Sequence, residues 1–349
     1  MAITIKDIAK EANVAPSTVS RVIADSPKIT EKTKKKVRKV MDQLGYYPNF
    51  HARNLANRAT KSIGIVMPVS AQRGNHFFQN PFFQDVIKGI GAFANAADYS
   101  LYITTGETDE EIYDDVIKMV KGKRVDGIIL LYSSEEDPVI KFLTGQSFPF
   151  VLVGRPPEDI GRKITFVDND NYAVSRELTE YLLSLGHERI AFIGGKKKLI
   201  VTQNRLNGFQ DALALAGITI PDSYIKHTDF IMDGGKKAVT ELLDVRDRPT
   251  ALFVTDDILA LGILNALHER GIIVPEEMNV VSFNNLFFSE FTSPPLTTVE
   301  VHIYQLGYEA ARCVVDLIEE ENSSPKCITV PTEIIPRKTT HQVRMKEFN

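Results

Sequence analysis

The sequence predicts two parts, an α-helical N-terminal domain of helix-turn-helix type and an α/β core of two parallel-sheet lobes. Charge divides them: residues 1–62 carry 13 basic and 5 acidic side chains, whereas the remainder carries 28 and 40. Apolar residues in the first part recur at helical spacing. In the second part, short apolar runs alternate with helical stretches, which is typical of parallel sheets with helices on their faces.

Length and composition exclude several classes of protein. A chain of 349 residues has room for two or three domains with cores of their own. No apolar run approaches the roughly 18 residues of a membrane-spanning helix, and the start, MAITIKDIAK, is too charged for a signal peptide. Only Cys313 and Cys327 are present, which fits a reducing compartment. We therefore expect a cytoplasmic protein without membrane contact.

Three helices are predicted within residues 1–47. Thr4 and Asp7 have the spacing of a capping box at the start of the first helix. Pro16 suits the first position of the second helix, because its missing N–H would be unpaired there. Thr30 caps the third helix and Gly45 ends it. Two short helices joined by a tight link, with a third behind them, describe a helix-turn-helix unit.

The second helix of such a unit enters the major groove of DNA. Ser17 and Arg21 are the outward polar groups best placed to contact base edges, and arginine binds guanine through two hydrogen bonds. Thr4, Thr18 and Ser20 are better suited to phosphate contacts, which position the module without reading sequence. The N-terminal domain is therefore predicted to bind double-stranded DNA.

Two neighbouring stretches leave alternatives open. The lysine-rich stretch 32–39 is either a solvated helix face or a source of long-range attraction to phosphates. Residues 48–61 are either a linker or a short helix that forms only against a second copy and DNA, since a helix this short is marginal alone. In the second case Leu55 is an apolar wedge for the minor groove.

The core is predicted from alternating strand-like and helical segments. Ligands of open α/β sheets bind beyond the carboxyl ends of the strands, so the loops that follow strands are the candidate site. The predicted strands are 62–68, 101–104, 127–132, 150–153, 165–167, 190–193, 251–254 and 280–283.

Polar side chains are concentrated in those loops. Carboxylates, amides and arginines that converge on a cleft suit a ligand rich in hydroxyl groups. An aromatic group around Asn80 and Pro81 offers an apolar wall for a sugar ring. Asp170 and Asp256 can instead cap the helices that follow them. The polar candidates are Arg155, Asp168, Asp170, Arg205, Asp256 and Asn284, and the aromatic ones are Phe77, Phe78, Phe82 and Phe83.

The stretch TIKDIAKEANVAPSTVSRVI at 4–23, with GYYPN at 45–49 and ARNLA at 52–56, resembles the lactose/galactose repressor (LacI/GalR) family. The resemblance continues through the core. It implies a periplasmic-binding-protein-like core, a two-fold dimer on a pseudo-palindromic operator, and a hinge helix whose leucine, Leu55, intercalates. It also places Asn49 and Ala52 at the DNA, and Pro16 on the base-reading edge. Ala15 departs from the family, because many members have a capping serine there.

The boundaries that accompany this resemblance are 1–47 for the helix-turn-helix domain, 48–61 for the hinge and 62–340 for the core. Lobe 1 is expected to contain residues 62–161 and 292–322, and lobe 2 residues 162–291 and 323–340.

Within the core, Arg205, in the stretch 205–209, matches the arginine that binds the effector in the family. Asp256 matches a position that contacts the effector. Asn284 replaces an aspartate that is common there, so it can donate a hydrogen bond where a carboxylate only accepts. The NPFF stretch (80–83) and the VGR stretch (153–155) resemble the maltose-operon repressor branch.

Together these features predict a repressor of sugar-utilisation genes, of the maltose or maltooligosaccharide class, that a sugar effector releases through lobe movement. Two alternatives stay open: a catabolite-control regulator with a phosphorylated carrier protein as corepressor, and a sugar-binding receptor. No nucleophile–base constellation, metal-ligand spacing or phosphate-binding loop supports an enzyme, a metal or a cofactor. The G-x-G-x-x-A pattern at 89–94 lies inside a predicted helix and indicates a packed face.

Overall fold

A computed structural model describes residues 3–46, 59–69, 80–157, 163–320 and 324–342. The chain divides between Lys61 and Ser62 into two compact units. Several residues predicted to bind DNA or effector lie outside the described residues: Asn49, Ala52, Leu55, Phe77 and Phe78.

The N-terminal unit contains the three predicted helices, α1 (Ile5–Glu11), α2 (Pro16–Ile23) and α3 (Glu31–Leu44). Their apolar faces form one small core, in which Ile8, Val19 and Val37 are fully buried. Each of these residues comes from a different helix, so the core holds all three together. The helix-turn-helix prediction is confirmed.

The ends of these helices follow from particular side chains. The Thr4 backbone N–H and hydroxyl both donate to the Asp7 carboxylate, at 2.9 and 2.7 Å, and this fixes the first turn of α1. Gly45 ends α3 with a φ of 62°, a left-handed conformation that glycine adopts at little cost. By contrast, α2 starts at Pro16 without a side-chain cap from Ala15.

The second unit alternates strands and helices along the chain. Its elements are β1 (Ser62–Val66), α4 (Pro81–Ala96), β2 (Ser100–Thr104), α5 (Asp109–Lys121), β3 (Gly127–Leu130), α6 (Pro138–Gly145), β4 (Phe150–Val153), β5 (Thr165–Asp168), α7 (Asn171–Ser184), β6 (Ile190–Gly194), α8 (Ile200–Leu215), β7 (Ile225–His227), α9 (Met232–Leu243), β8 (Ala251–Val254), α10 (Asp257–Glu269), β9 (Asn279–Phe283), β10 (Thr297–Glu300), α11 (Ile303–Glu319), β11 (Cys327–Thr329) and β12 (Glu333–Ile335). A short 3₁₀ turn, Asp222–Tyr224, precedes β7.

The strands form two six-stranded sheets, one in each lobe. Lobe 1 has the order β11-β5-β4-β3-β1-β2, and lobe 2 has the order β12-β10-β9-β8-β6-β7. The strand pairs of lobe 1 are all parallel. In lobe 2, β12 runs antiparallel to β10 and is the exception to the predicted parallel arrangement. The central strands are buried along their whole length, as expected for strands covered on both faces.

The sheet order corrects the predicted lobe boundaries at three strands. β5 and β11 pair within the sheet of lobe 1, although their residues were assigned to lobe 2. Conversely, β10 pairs with β9 in lobe 2, although its residues were assigned to lobe 1. The chain therefore crosses between the lobes after β5, after β10 and after β11. Apolar runs of similar composition give no information about their partner strand, which is the physical reason for the error.

Helices α4 and α11 pack closely in lobe 1 because glycines remove side chains from their interface. A Cβ at Gly89 of α4 would overlap the carbonyl oxygen of Tyr304, and one at Gly307 of α11 would overlap that of Val86. The G-x-G-x-x-A pattern thus lies on a packed helix face, as predicted. Among the described residues, no helix combines the length and apolarity that crossing a bilayer requires.

Candidate functional site

The exposed face of α2 carries the polar residues predicted to contact DNA. Ser17, Ser20 and Arg21 are exposed and Thr18 is half-buried, whereas Val19 and Val22 of the same helix are buried in the core. The helix therefore presents hydroxyls and one guanidinium outward. Pro16 and Thr4 are also exposed, at the starts of α2 and α1.

One lysine of the 32–39 stretch departs from the solvated arrangement. Lys34 is buried, and its ammonium lies 3.0 Å from the carboxylates of both Asp25 and Glu31. Arg38 also contacts Asp25, at 2.7 Å. The bond from Lys34 has the largest effect and the bond from Arg38 a smaller one, and both lower the pKa of Asp25. Lys34 therefore stabilises the connection between α2 and α3, while Lys35 and Lys36 remain exposed.

A cleft of about 290 Å³ is lined by residues of both lobes. Its aromatic rings come from the first turn of α4 and from the loops that contain Tyr132 and Phe230, and its polar groups come mainly from the loops that follow strands. Of the predicted effector residues that the structure describes, six line it: Phe82, Phe83, Asp168, Arg205, Asp256 and Asn284. The rule that ligand sites form beyond the carboxyl ends of strands thus located most of the cleft.

Arg205 lies at the centre of the polar lining and is buried. Its Nε donates to Asn171 Oδ1 at 2.8 Å, and a terminal nitrogen donates to the Thr255 carbonyl oxygen. The guanidinium also lies 4.0 Å from the centre of the Phe283 ring. Burial lowers its pKa to about 10, and the charge of Asp168 opposes this change. Arg205 is therefore a rigidly held cation that stays protonated.

Asp256 caps a helix, which is one of the two roles predicted for it, and it also lines the cleft. Its Oδ1 accepts the backbone N–H of Ile258 at 2.7 Å and caps α10, while Oδ2 accepts Asn284 Nδ2 at 2.9 Å. Asn284 holds its amide there with a φ of 105°, which L-residues rarely adopt. Burial first, then the neighbouring charge of Asp257, raises the pKa of Asp256 to about 7.

Asp168 forms the other buried carboxylate of the cleft. It accepts Asn171 Nδ2 and the Arg155 backbone N–H, both at 3.0 Å. Burial raises its pKa to about 6, although the Asn169 backbone N–H, the charge of Arg205 and the Asn171 amide favour the ionised form. Two carboxylates and one guanidinium are thus available to hydrogen-bond a polar ligand.

Arg155 has a different position from that expected, whereas Asp170 has the capping role that was one of its two predicted roles. The Arg155 side chain is exposed and is not among the described residues that line the cleft, so its expected side-chain contact is corrected to a backbone contact with Asp168. Gly154, which precedes it, has a φ of 123°, a backbone conformation that favours glycine. Asp170 is exposed and caps α7 through Ala173.

Several lining residues were missed by sequence reasoning. Lys196 and Lys198 were not among the predicted residues, but they line the cleft and pair with Asp229 and Asp109 at 3.1 and 2.8 Å. Their place directly after β6 was a usable signal, because the same rule located Arg205. Phe230 and Tyr132 were also missed, and they add aromatic surface to that of Phe82 and Phe83. Within the described ranges, no cluster of His, Cys, Asp and Glu is suited to hold a metal ion.

Comparison with known proteins identifies the family. The "Bacterial regulatory proteins, lacI family" sequence profile matches residues 4–49, and "Periplasmic binding protein-like domain" matches residues 179–340. The transcriptional regulator MalR of Streptococcus pneumoniae is 38% identical over 93% of this chain and 95% of its own. The chain belongs to the lacI family.

Solved structures agree with this lacI-family assignment. A complex of the transcriptional regulator CelR with cellobiose is 30% identical, covers 97% of this chain and 100% of its own, and has a TM-score of 0.75. A probable maltose operon repressor from Staphylococcus aureus is 28% identical over 80% of this chain and 98% of its own, with a TM-score of 0.72. The predictions of a DNA-binding transcription regulator and of a non-enzyme are confirmed by these relatives.

Proposed function

We propose that this lacI-family regulator is a repressor of sugar-utilisation genes and that a neutral saccharide in the cleft releases it from DNA. The observation that carries the proposal is the mutual pairing of charges along the cleft. Lys196 and Lys198 each contact an aspartate, and Arg205 lies among buried carboxylates. A phosphorylated or acidic sugar would have to displace those partners, whereas a neutral polyol can leave the two lysine–aspartate pairs intact and hydrogen-bond the buried Arg205, Asp168 and Asp256.

The shape of the lining supports a saccharide with more than one ring. Apolar side chains from both lobes, Phe82, Phe83 and Phe230, offer flat surfaces for sugar rings beside the polar groups. Relatives support this choice, because one is solved as a complex with cellobiose and another is a probable maltose operon repressor. We therefore propose a gluco-oligosaccharide of the maltose class as effector.

The DNA-reading part of the proposal assigns Arg21 and Ser17 to base edges, and Thr4, Thr18 and Ser20 to phosphates, with Pro16 on the same edge. The exposure of Pro16, Ser17, Ser20 and Arg21 on α2, and of Thr4 before α1, supports it, while Thr18 is half-buried. Asn49, Ala52 and Leu55 are proposed as further DNA contacts on the strength of the family resemblance. A two-fold dimer is proposed because two such heads match a pseudo-palindromic operator.

The test combines calorimetry with DNA binding. Maltose, maltotriose, cellobiose and glucose 6-phosphate are titrated into the full chain, and affinity is measured for a DNA site selected from a random pool. We expect a maltose-class sugar to bind and to weaken DNA affinity by about 5- to 150-fold. Binding of glucose 6-phosphate alone would contradict the neutral effector. Tighter DNA binding with a phosphorylated carrier protein, and no response to sugars, would favour the catabolite-control alternative.

A matched pair of substitutions assigns the response to the cleft. Arg205→Lys keeps the positive charge but cannot reproduce the fixed fork that contacts Asn171, Thr255 and Phe283. We expect it to lower sugar affinity at least tenfold and to leave DNA affinity unchanged. Arg155→Lys alters an exposed arginine outside the lining and serves as the control. An unchanged sugar response in Arg205→Lys would remove the cleft from the proposal.

A further inference from the structure

The loops that follow β3 and β6 are joined across the cleft at a place separate from the three chain crossovers. The Glu135 N–H donates to the Lys198 carbonyl oxygen at 3.0 Å, and the Ile200 N–H donates to the Ser133 carbonyl oxygen at 3.1 Å. Ser134 and Leu199 form an antiparallel bridge between these bonds. We call residues 133–135 and 198–200, together with Asp109, the clasp.

A side-chain contact reinforces this backbone pairing. The Lys198 ammonium lies 2.8 Å from the Asp109 carboxylate, in the first turn of α5. Lys198 belongs to lobe 2 and Asp109 to lobe 1, so this ion pair also joins the lobes. Both side chains line the cleft, and about half of each is exposed, at 49% and 64%. Separating the lobes therefore requires breaking one ion pair and two backbone hydrogen bonds.

Each half of the clasp is held by its own lobe. On lobe 1, the buried Asp137 accepts Ser134 Oγ at 3.2 Å and the Val139 N–H at 2.8 Å, which fixes the loop before α6. On lobe 2, Gln203 Nε2 donates to the Lys197 carbonyl oxygen at 2.9 Å, and Lys196 pairs with Asp229. The two loops are thus preformed edges that meet with little loss of conformational freedom.

We propose that the clasp is an interlobe latch, and that Lys198 and Asp109 are positioning residues that set the balance between closed and open lobes. A protein whose binding-competent state is only partly populated binds its ligand more weakly by that fraction. A latch that stabilises the closed lobes therefore raises effector affinity without contributing a new ligand contact. The affinity part of this inference rests on the proposed function, whereas the lobe-closure part is independent of it.

The test measures the distance between spin labels on the two lobes of the full chain. An exposed ion pair of this type contributes little, so Lys198→Gln should raise the open-to-closed ratio by about 1.5- to 5-fold. Asp109→Asn should give the same shift, and combining the two should add nothing further. Lys197→Gln, in the same loop but outside the ion pair, is the matched control and should leave the distances unchanged. High salt should reduce the difference between Lys198→Gln and the parent protein.

Two outcomes separate the latch from the proposed function. Identical distance distributions in Lys198→Gln, Lys197→Gln and the parent protein would overturn the latch, whichever sugar binds. A shifted distribution with no response to maltotriose would keep the latch and contradict the maltose-class effector. If both hold, the maltotriose affinity of Lys198→Gln should fall by about the same factor as its closed population, and an unchanged affinity would refute the role in binding.

Discussion

The pKa values of two aspartates in the cleft are set mainly by burial. Asp168 and Asp256 are ordinary aspartates in the sequence, yet both have a raised pKa because they are buried. Each keeps several hydrogen bonds that partly compensate the loss of water. Because these pKa values are about 6 and about 7, each carboxyl group can accept a hydrogen bond when ionised and donate one when protonated near neutral pH.

The raised pKa of Asp256 predicts a pH-dependent stability. Its folded-state pKa is about 7 and its unfolded-state value is near 3.9, so between these values the folded chain binds more protons than the unfolded chain. The free energy of unfolding therefore falls as pH rises through this window. In Asp256→Asn this contribution is absent, and we expect the loss of melting temperature between pH 5 and pH 8 to become smaller. Thermal unfolding at several pH values measures it, and an equal loss in both proteins would show that Asp256 ionises normally.

Sequence reasoning located residues whose position follows from one strand, and it missed those that depend on a partner loop. Arg205, Asp256 and Asn284 were predicted because each follows a strand whose carboxyl end faces the site. Lys198 and Asp109 were not predicted as a pair, because they lie 89 positions apart and meet only when the lobes approach. The periodicity of apolar residues contains no information about such a long-range contact.

At the scale of elements, helix positions were more predictable than sheet membership. Capping residues and glycines mark where a helix begins and ends, and those of α1 and α3 do so as predicted. The partner of a strand depends instead on hydrogen bonds to a distant segment. This is why β5, β10 and β11 were assigned to the wrong lobes.

The uncapped start of α2 predicts a stabilising substitution. Ala15 has the extended conformation of an N-cap, with φ −71° and ψ 148°, but has no side-chain acceptor. In Ala15→Ser, the hydroxyl can accept a free N–H of the first turn and stabilise the helix by about 1 kcal/mol. Hydrogen exchange of α2 amides in the full chain should slow by roughly fivefold.

The control for this substitution lies at the other end of the same helix. Ala24 is exposed and follows the last turn of α2. The unpaired backbone groups there are carbonyls, so the hydroxyl of Ala24→Ser has no free N–H to accept and should not slow exchange in the first turn. Equal protection of α2 in Ala15→Ser and Ala24→Ser would show that the first turn is already satisfied.

For the whole molecule, the cleft proposed to bind the effector and the helix proposed to read DNA belong to different compact units, so any response must link two separate equilibria. Thermodynamic linkage then constrains the result: if maltotriose weakens operator binding by some factor, the operator must weaken maltotriose binding by the same factor. We expect a common factor within about 5- to 150-fold.

Two measurements provide this factor independently. Calorimetry gives the maltotriose affinity with and without saturating operator, and a DNA-binding assay gives the operator affinity with and without saturating maltotriose. A DNA duplex of scrambled sequence is the control. A sugar affinity that is identical with and without operator, together with an operator affinity that maltotriose does not change, would mean that maltotriose binding is not coupled to DNA binding.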